Sequence, residues 1–323
     1  MPTLSDSNVI SPRIDPRHRR LDWPVILAIG ALHLGCLAAP WTFSWTGLML
    51  VPVLYWAGIG LGIGMGYHRL LTHRSYQTPK IVEYLLTILA TLNWQGGPIR
   101  WVGTHRLHHR YSDRPADPHS PRHGFTWAHA LWCMYQDGEG FDPNAAALDL
   151  GRDPVHAWLD RYFYVPQFVL ALGLYGGGWA LGGHELALSW LVWGVCVRTV
   201  LGYHGTWFVN SASHTWGYRN FNTADDSRNN WWVALLSFGE GWHNNHHAQQ
   251  RSAAHGMRWY EFDPTYWTIS LMEIVGLARR IVRPRRPSKP APLLRSSGRL
   301  QTRHRHQPQS GATTHGYRQG YPG

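Results

Sequence analysis

Apolar positions gather into four runs along the 323 residues instead of spreading evenly. Residues Trp23 to Pro40, Trp45 to Tyr67, Tyr164 to Gly182 and Ala187 to Val209 form runs of about 18 to 23 residues, the length an α-helix needs to cross a bilayer core of about 30 Å. The runs carry almost no charge and are flanked by Trp and Tyr, as a membrane interface favours. This pattern predicts an all-α integral membrane protein with four transmembrane helices. Arg198 interrupts the last run and requires a polar partner or a path to the headgroups. Between the spans, Pro79 to Trp94 has helical apolar spacing over too short a stretch to cross, which predicts a helix at the interface or in a cap. Asn229 to Phe238 is likewise too short, and the prolines of Asp113 to Gly124 predict a loop. Gly58, Gly62 and Gly66 recur every fourth residue in the second run, a stripe that lets a neighbouring helix approach closely.

Charge orients these elements. The short connections Thr42 to Ser44 and Gly183 to Leu186 hold no Lys or Arg, whereas the N-terminal arm, Arg69 to Arg161 and the C-terminal region are rich in them. By the positive-inside rule the basic segments share the cytoplasmic side and both termini lie there. The polar residues before the first run and the missing small-residue cleavage site argue against a signal peptide, and His33-Leu34-Gly35-Cys36 as a lipoprotein box would contradict the charge pattern. Cys36, Cys133 and Cys196 show no paired spacing, in keeping with a reducing compartment and no thiolate metal site. The net charge of +11 resides in one place: eleven of the 30 Lys and Arg follow from Arg279 onward with no Asp or Glu, so the rest of the chain balances its 19 acidic residues. That organisation predicts a cytoplasmic arm over 1–22, one domain over 23–280 and a basic, disordered tail over 281–323. The tail suits anionic headgroups of the cytoplasmic leaflet, and a membrane-embedded chain is no candidate for nucleic acid.

Candidate chemistry lies in the histidines, 21 in all. His68 and His73 form HRLLTH at the end of the second run; His105, His108 and His109 form HRLHH; His243, His246 and His247 form HNNHH; His214 stands in NSASH just beyond the fourth. At this histidine content one HxxHH box is expected roughly 0.1 times in a random chain, and two roughly once in a few hundred chains. Positions i, i+3 and i+4 of a helix lie within about one sector of its surface, so each HxxHH box aims three imidazoles the same way. HxxxxH does not: i and i+5 lie roughly 140° apart on a regular helix, so either His73 lies beyond the helix end or the two rings serve different ions. Nine imidazoles exceed what one ion takes and exceed a closed structural zinc site, which points to two ions of higher coordination number, with iron preferred. His18, His33, His119, His123, His129, His156, His184, His204 and His255 read as ordinary surface or core residues.

The order HxxxxH, HxxHH, HxxHH, interleaved with two pairs of spans, resembles the membrane-bound fatty acid desaturases, and the flanks GYHRLLTHRSY, NSASHTWGYRNF and FGEGWHNNHHAQQRSA resemble their delta-9, stearoyl-CoA desaturase-like branch. The resemblance covers about Trp23 to Arg280. It implies four transmembrane helices with a cytoplasmic helical cap and a diiron centre on the nine histidines His68, His73, His105, His108, His109, His214, His243, His246 and His247. It further implies an iron-bound water on Asn210, and an acyl tunnel with Gln95, Trp101 and Thr206 near its kink. No catalytic residue is expected beyond this centre, and Asn244 and Asn245 are expected as neighbours, not ligands. The implied reaction uses dioxygen to place a cis double bond, delta-9 by this likeness, in a saturated acyl chain. Such oxidation of an unactivated methylene lies beyond side-chain acids and bases. The implied partners are an acyl-CoA or acyl-lipid substrate, the bilayer, and an external electron donor, a ferredoxin or b-type cytochrome with its reductase. The chain carries neither a haem-binding HPGG element nor a ferredoxin cysteine run. The expected location is a bacterial inner membrane in preference to endoplasmic reticulum. Gly103 and Thr104 occupy positions where animal acyl-CoA members carry an Arg-Asp pair, which leaves a glycerolipid carrier open. A related diiron hydroxylase or ketolase acting on an alkane, sterol or carotenoid would use the same ligands. A non-enzymatic metal transporter or sensor would want ionisable residues inside the spans, and His33 and His204 alone do not make such a path.

Overall fold

The computed structural model describes residues 19–138 and 140–285. Most of the expected N-terminal arm and of the expected disordered tail therefore lies outside the described residues. Residues 281–285 lie within them and belong to the packed body: Val282 N donates to Ser75 O at 2.8 Å, Ala253 N donates to Val282 O at 2.8 Å, and Ile281 is buried.

The described residues are helical and contain isolated β-bridges but no strand. The elements are α1 (Trp23–Cys36), α2 (Trp45–Tyr55) running into a π-helical segment (Trp56–Thr72), α3 (Lys80–Thr91), α4 (Pro98–Tyr111), α5 (Phe125–His129), α6 (Pro143–Ala146), α7 (Leu148–Gly151) and α8 (Pro154–Arg161). They continue with α9 (Val165–Leu191), a second π segment (Val192–Val197), α10 (Arg198–Ser211), α11 (Trp231–Leu236), α12 (His243–Ala248) and α13 (Pro264–Ile274).

Two apolar helices are long enough to cross a membrane, Trp45–Thr72 with 28 residues and Val165–His214 with 50. The second is broken at Gly182 and Gly183, the latter at φ 73, a left-handed conformation that glycine adopts without a Cβ clash. A Cβ on Gly178 would stand 2.7 Å from the Ala187 Cα, so the two arms lie against each other as the expected third and fourth runs. The first run departs from expectation. Its helix stops at Cys36 after 14 residues, about 21 Å at 1.5 Å per residue, and turns follow. Pro40 explains the stop, because its ring would clash with the carbonyl four residues back, that of Cys36.

The glycine stripe meets α3. A Cβ on Gly62 would lie 2.4 Å from the Ala90 N, and one on Gly66 would lie 3.1 Å from Leu86 Cβ. The larger core forms there, from Ile59, Ile63, Met65 and Tyr67 of the π segment with Leu86 and Ala90 of α3, Ile99 and Val102 of α4, and Ile269 of α13. Arg198 has the partners its position required. It is fully buried, donates to the Leu92 carbonyl at 2.7 Å, to Gln167 Oε1 at 2.8 Å and to Gly194 O at 3.1 Å, and its charge sits at the C-terminal end of α3, where a cation is favoured.

Candidate metal centre

Four elements bring nine imidazoles together: the end of the first π segment, α4, the 3-10 turn after α10 and α12. They form two groups. His68, His73, His105, His109 and His246 have ring nitrogens within 4.8 Å of one another, and so do His108, His214, His243 and His247. His68 and His73 thus lie in the same group, and His73 is the residue just past the helix end. The reason is the winding: His73 N donates to His68 O at 3.1 Å, an i to i+5 bond that returns the fifth residue beneath the first.

The outer ring nitrogens are held by carboxylates. Asp117 accepts from His108 Nδ1 at 3.0 Å, Asp113 from His214 Nδ1 at 2.9 Å, and Asp225 from His247 Nδ1 at 2.9 Å, while Glu240 accepts from His68 Nδ1. A proton on Nδ1 leaves the Nε2 lone pair facing inward. The Nε2 atoms of His73, His108 and His214 are buried without a protein partner. The others converge: His246 Nε2 lies 3.1 Å from His68 Nε2 and 2.9 Å from His109 Nε2, which lies 3.0 Å from His105 Nε2, and His247 Nε2 lies 3.0 Å from His243 Nε2. Converging lone pairs repel unless a cation sits among them. Two imidazole nitrogens about 2.1 Å from one ion are about 3.0 Å apart at a right angle and about 3.4 Å apart at a tetrahedral angle. The observed spacing matches the right angle, so this donor set fits ions of more than four ligands.

Charge sets one ring apart from the others. Burial, reinforced by neighbouring imidazoles, pushes His73, His105, His109, His243 and His246 well below the ordinary histidine value. Burial also brings His247 to about 4 against the pull of Asp225. These rings are neutral at pH 7, the form a metal needs. His108 goes the other way. Burial lowers it, but Asp117, aided by Asp113 and Asp225, outweighs burial and raises it.

Glu240 is itself clamped. Buried Arg69 donates to Glu240 Oε1 at 2.8 and 3.0 Å, to Asp263 Oδ2 at 3.1 Å and to the Ala253 carbonyl at 2.6 Å. The box HNNHH is fastened by its amides: Asn244 Oδ1 accepts from Asn220 N and Phe221 N, each at 2.8 Å, and Asn245 donates to His255 O and Glu261 Oε2, each at 2.8 Å. Both asparagines thus spend the oxygen and nitrogen of their amides on the surrounding segments.

A cavity of about 690 Å³ opens against the centre. Gln95, Trp101 and Thr206 all line it, together with Asn210, His68, His105 and His243. Trp101 stacks on His105 at 5.2 Å, and Gln95 Nε2 is buried with no protein partner. A Cβ on Gly103 would fall 1.8 Å from the Pro143 carbonyl oxygen, so the contact of α4 with α6 leaves no room there for an arginine. Sequence reading missed Glu240, Asp113, Asp117, Asp225 and two further buried histidines, His119 and His255. His119 packs 4.3 Å from His108 and His255 packs 4.4 Å from His246, ring to ring. The signal available was the general rule that ligand imidazoles are backed by carboxylates, but it does not say which ones.

Residues 39–272 match the family model described as fatty acid desaturase. The chain belongs to the fatty acid desaturase family. It is 48% identical to the sn-1 stearoyl-lipid 9-desaturase of Anabaena variabilis over 81% of this chain and 94% of that protein. It is 46% identical to the sn-2 palmitoyl-lipid 9-desaturase of Nostoc sp. (strain 36), over 81% of this chain and 91% of the relative. Identity to the acyl-CoA C20 Delta5-desaturase of Anemone leveillei is 43%, over 79% and 80%. The desaturase is accordingly an oxygen-dependent oxidoreductase that introduces a double bond into an acyl chain, with histidine groups suited to a metal centre.

Proposed function

We propose that the chain places a cis double bond at the delta-9 position of a saturated acyl chain esterified in a glycerolipid. The observation that carries this reading is the cavity that runs from a rim of Arg19, Arg100 and Asp137 to His68, His105 and His243. Arg100 is bound to Asp137 through two contacts of 2.7 and 3.2 Å, so its charge is already matched. Arg19 Nε and Nη2 on the same cavity have no partner among the described residues, so it is the lack of room for an arginine at Gly103 that favours a lipid-bound chain over a polyanionic carrier. The two relatives at 46 and 48% identity carry lipid in their names, which points the same way.

The nine histidines would hold two irons, five imidazoles for one ion and four for the other, with Asn210 positioned at the cavity wall to hold a water for the second. Bound iron supplies the activated dioxygen that the oxidation requires. The protein contributes position: Trp101, Gln95 and Thr206 would set the bend, so that distance along the cavity selects the methylenes presented to the centre. Apolar walls exclude competing water. Electrons would come from a separate carrier protein.

Four crossings with both termini on the cytoplasmic face of a bacterial inner membrane suit the apolar runs. Short α1 would then be completed by the turns and aromatic residues after it, Trp41 and Phe43, both exposed. Exposed stripes on Ile81, Leu85 and Ile88 of α3 and on Trp267, Leu271 and Ile274 of α13 suit helices lying in the interface.

Lipid analysis of a desaturase-deficient host expressing the chain tests this, with double bonds located and glycerolipid distinguished from acyl-CoA by pulse labelling. Delta-9 unsaturation arising in preformed glycerolipid is expected. A hydroxylated product, or label desaturated only while on coenzyme A, would overturn the reading. Purified protein should carry two irons per chain.

A further inference from the structure

Each desaturation needs electrons from outside. Dioxygen takes two electrons and two protons from the acyl chain and two more of each from the donor and solvent, which yields one double bond and two waters. The candidate centre is buried, so the electrons must enter where a ligand approaches the surface away from the lipid cavity. An open depression of about 710 Å³ does this, with His247 in its wall beside Phe221, Gln249, Arg251, Val282 and Arg285.

Its charge is one-sided. Arg251, Arg283 and Arg285 line it and are exposed, and no acidic residue does. Two carboxylates close by are engaged: Asp225 accepts from His247, and Glu273 pairs with Arg283 at 2.6 Å, which matches that charge and leaves Arg251 and Arg285 to set the sign of the rim. Beyond Arg285 the sequence adds seven Lys or Arg and no Asp or Glu. The rim is also fastened to the ligand helix. Gln249, one residue past α12, donates to the Arg285 carbonyl at 2.7 Å and accepts from Arg285 N at 2.8 Å, which holds the basic segment beside the box that carries His247.

We propose that this depression is the docking surface for an acidic one-electron carrier protein, which delivers electrons through the edge of His247 to the four-histidine group. The proposal rests on the desaturase reading given above. Opposite charge at such a rim steers encounter and sets its salt dependence, while the imidazole bridges the rim and the inner donors.

The test uses the full, iron-loaded chain in phosphatidylcholine nanodiscs, with an acidic [2Fe–2S] ferredoxin and the soluble haem domain of a b-type cytochrome as probes. The double substitution Arg251→Glu with Arg285→Glu should raise Kd for at least one probe tenfold or more at 0.1 M salt and flatten its salt dependence. Arg152→Glu, an exposed charge change on the loop before α8, should leave Kd within twofold. Iron content and optical reduction by dithionite should match the unaltered protein. The milder pair Arg251→Gln with Arg285→Gln should give an intermediate Kd, and it serves if the reversal fails to fold. Unchanged Kd for both probes, or an equal loss from Arg152→Glu, overturns the docking surface. If dithionite-reduced protein with a saturated glycerolipid and dioxygen forms no double bond, it is the desaturase reading that fails, and the binding constants remain a separate result.

Discussion

The two histidine groups look alike in their donors and differ in what stands behind them. In the five-histidine group one carboxylate, Glu240, backs one ring, His68. In the four-histidine group three carboxylates back three of the four rings, Asp117 on His108, Asp113 on His214 and Asp225 on His247. The first site is rich in neutral nitrogen and poor in charge; the second trades one imidazole for surrounding anionic charge. Carboxylate backing raises the basicity of an imidazole, so the four-histidine group offers fewer but stronger donors. Two groups drawn from the same sequence boxes are tuned apart by carboxylates outside those boxes.

The largest effect should come from His246, whose Nε2 stands within about 3 Å of two other donors of the first group. His246→Ala is expected to eliminate double-bond formation and to leave at most one iron per chain, as measured by metal analysis. Retention of two irons would break the division into groups. Asp225→Asn or Asp117→Asn should weaken metal binding at the second group by about 10 to 100-fold while sparing the first, which stepwise chelation would resolve. Equal loss from both groups would mean that the carboxylates do not act locally.

Acidity next separates His108 from the depressed rings of both groups. The unfolded chain takes up protons on histidine below about pH 6.5, while the depressed rings of the folded, metal-free protein do not. Their stability contribution is therefore complete above about pH 6.5 and is lost as pH falls towards about 4, where His247 protonates. His108 has the opposite sign: its raised value stabilises the fold below about pH 6.5 and is lost as pH rises through that value. Thermal unfolding of the metal-free protein should show a falling Tm from pH 6.5 to 4, and Asp117→Asn should steepen it by removing the counterweight on His108. The smallest effect belongs to the cavity. Thr206→Leu should shift product preference towards chains shorter by about two methylenes, at about 0.8 kcal/mol for each buried methylene, as read by product profiling. An unchanged profile would remove Thr206 from the bend.

Much of this molecule could be read in advance because its signals are local. Each HxxHH box orients three rings through helix geometry alone, and the glycine stripe announced a close helix partner without naming α3. The carboxylates escaped notice because their pairings span 9, 22, 101 and 172 positions, and Asp113 and Asp117 sit in a stretch whose prolines say only that it is a loop. Pro40 did carry the signal for the early end of α1, but hydropathy alone runs past it.

By itself the sequence determined that nine nitrogen donors cluster near apolar spans, since composition and short-range spacing need no partner to be expressed. Which rings stand together was decided only by the tertiary structure. The π-winding put His68 above His73, and packing of α4 against α12 split each box between the two groups. Coordination depends on distances of a few ångströms between segments far apart in the chain, and those distances exist only once the helices have packed.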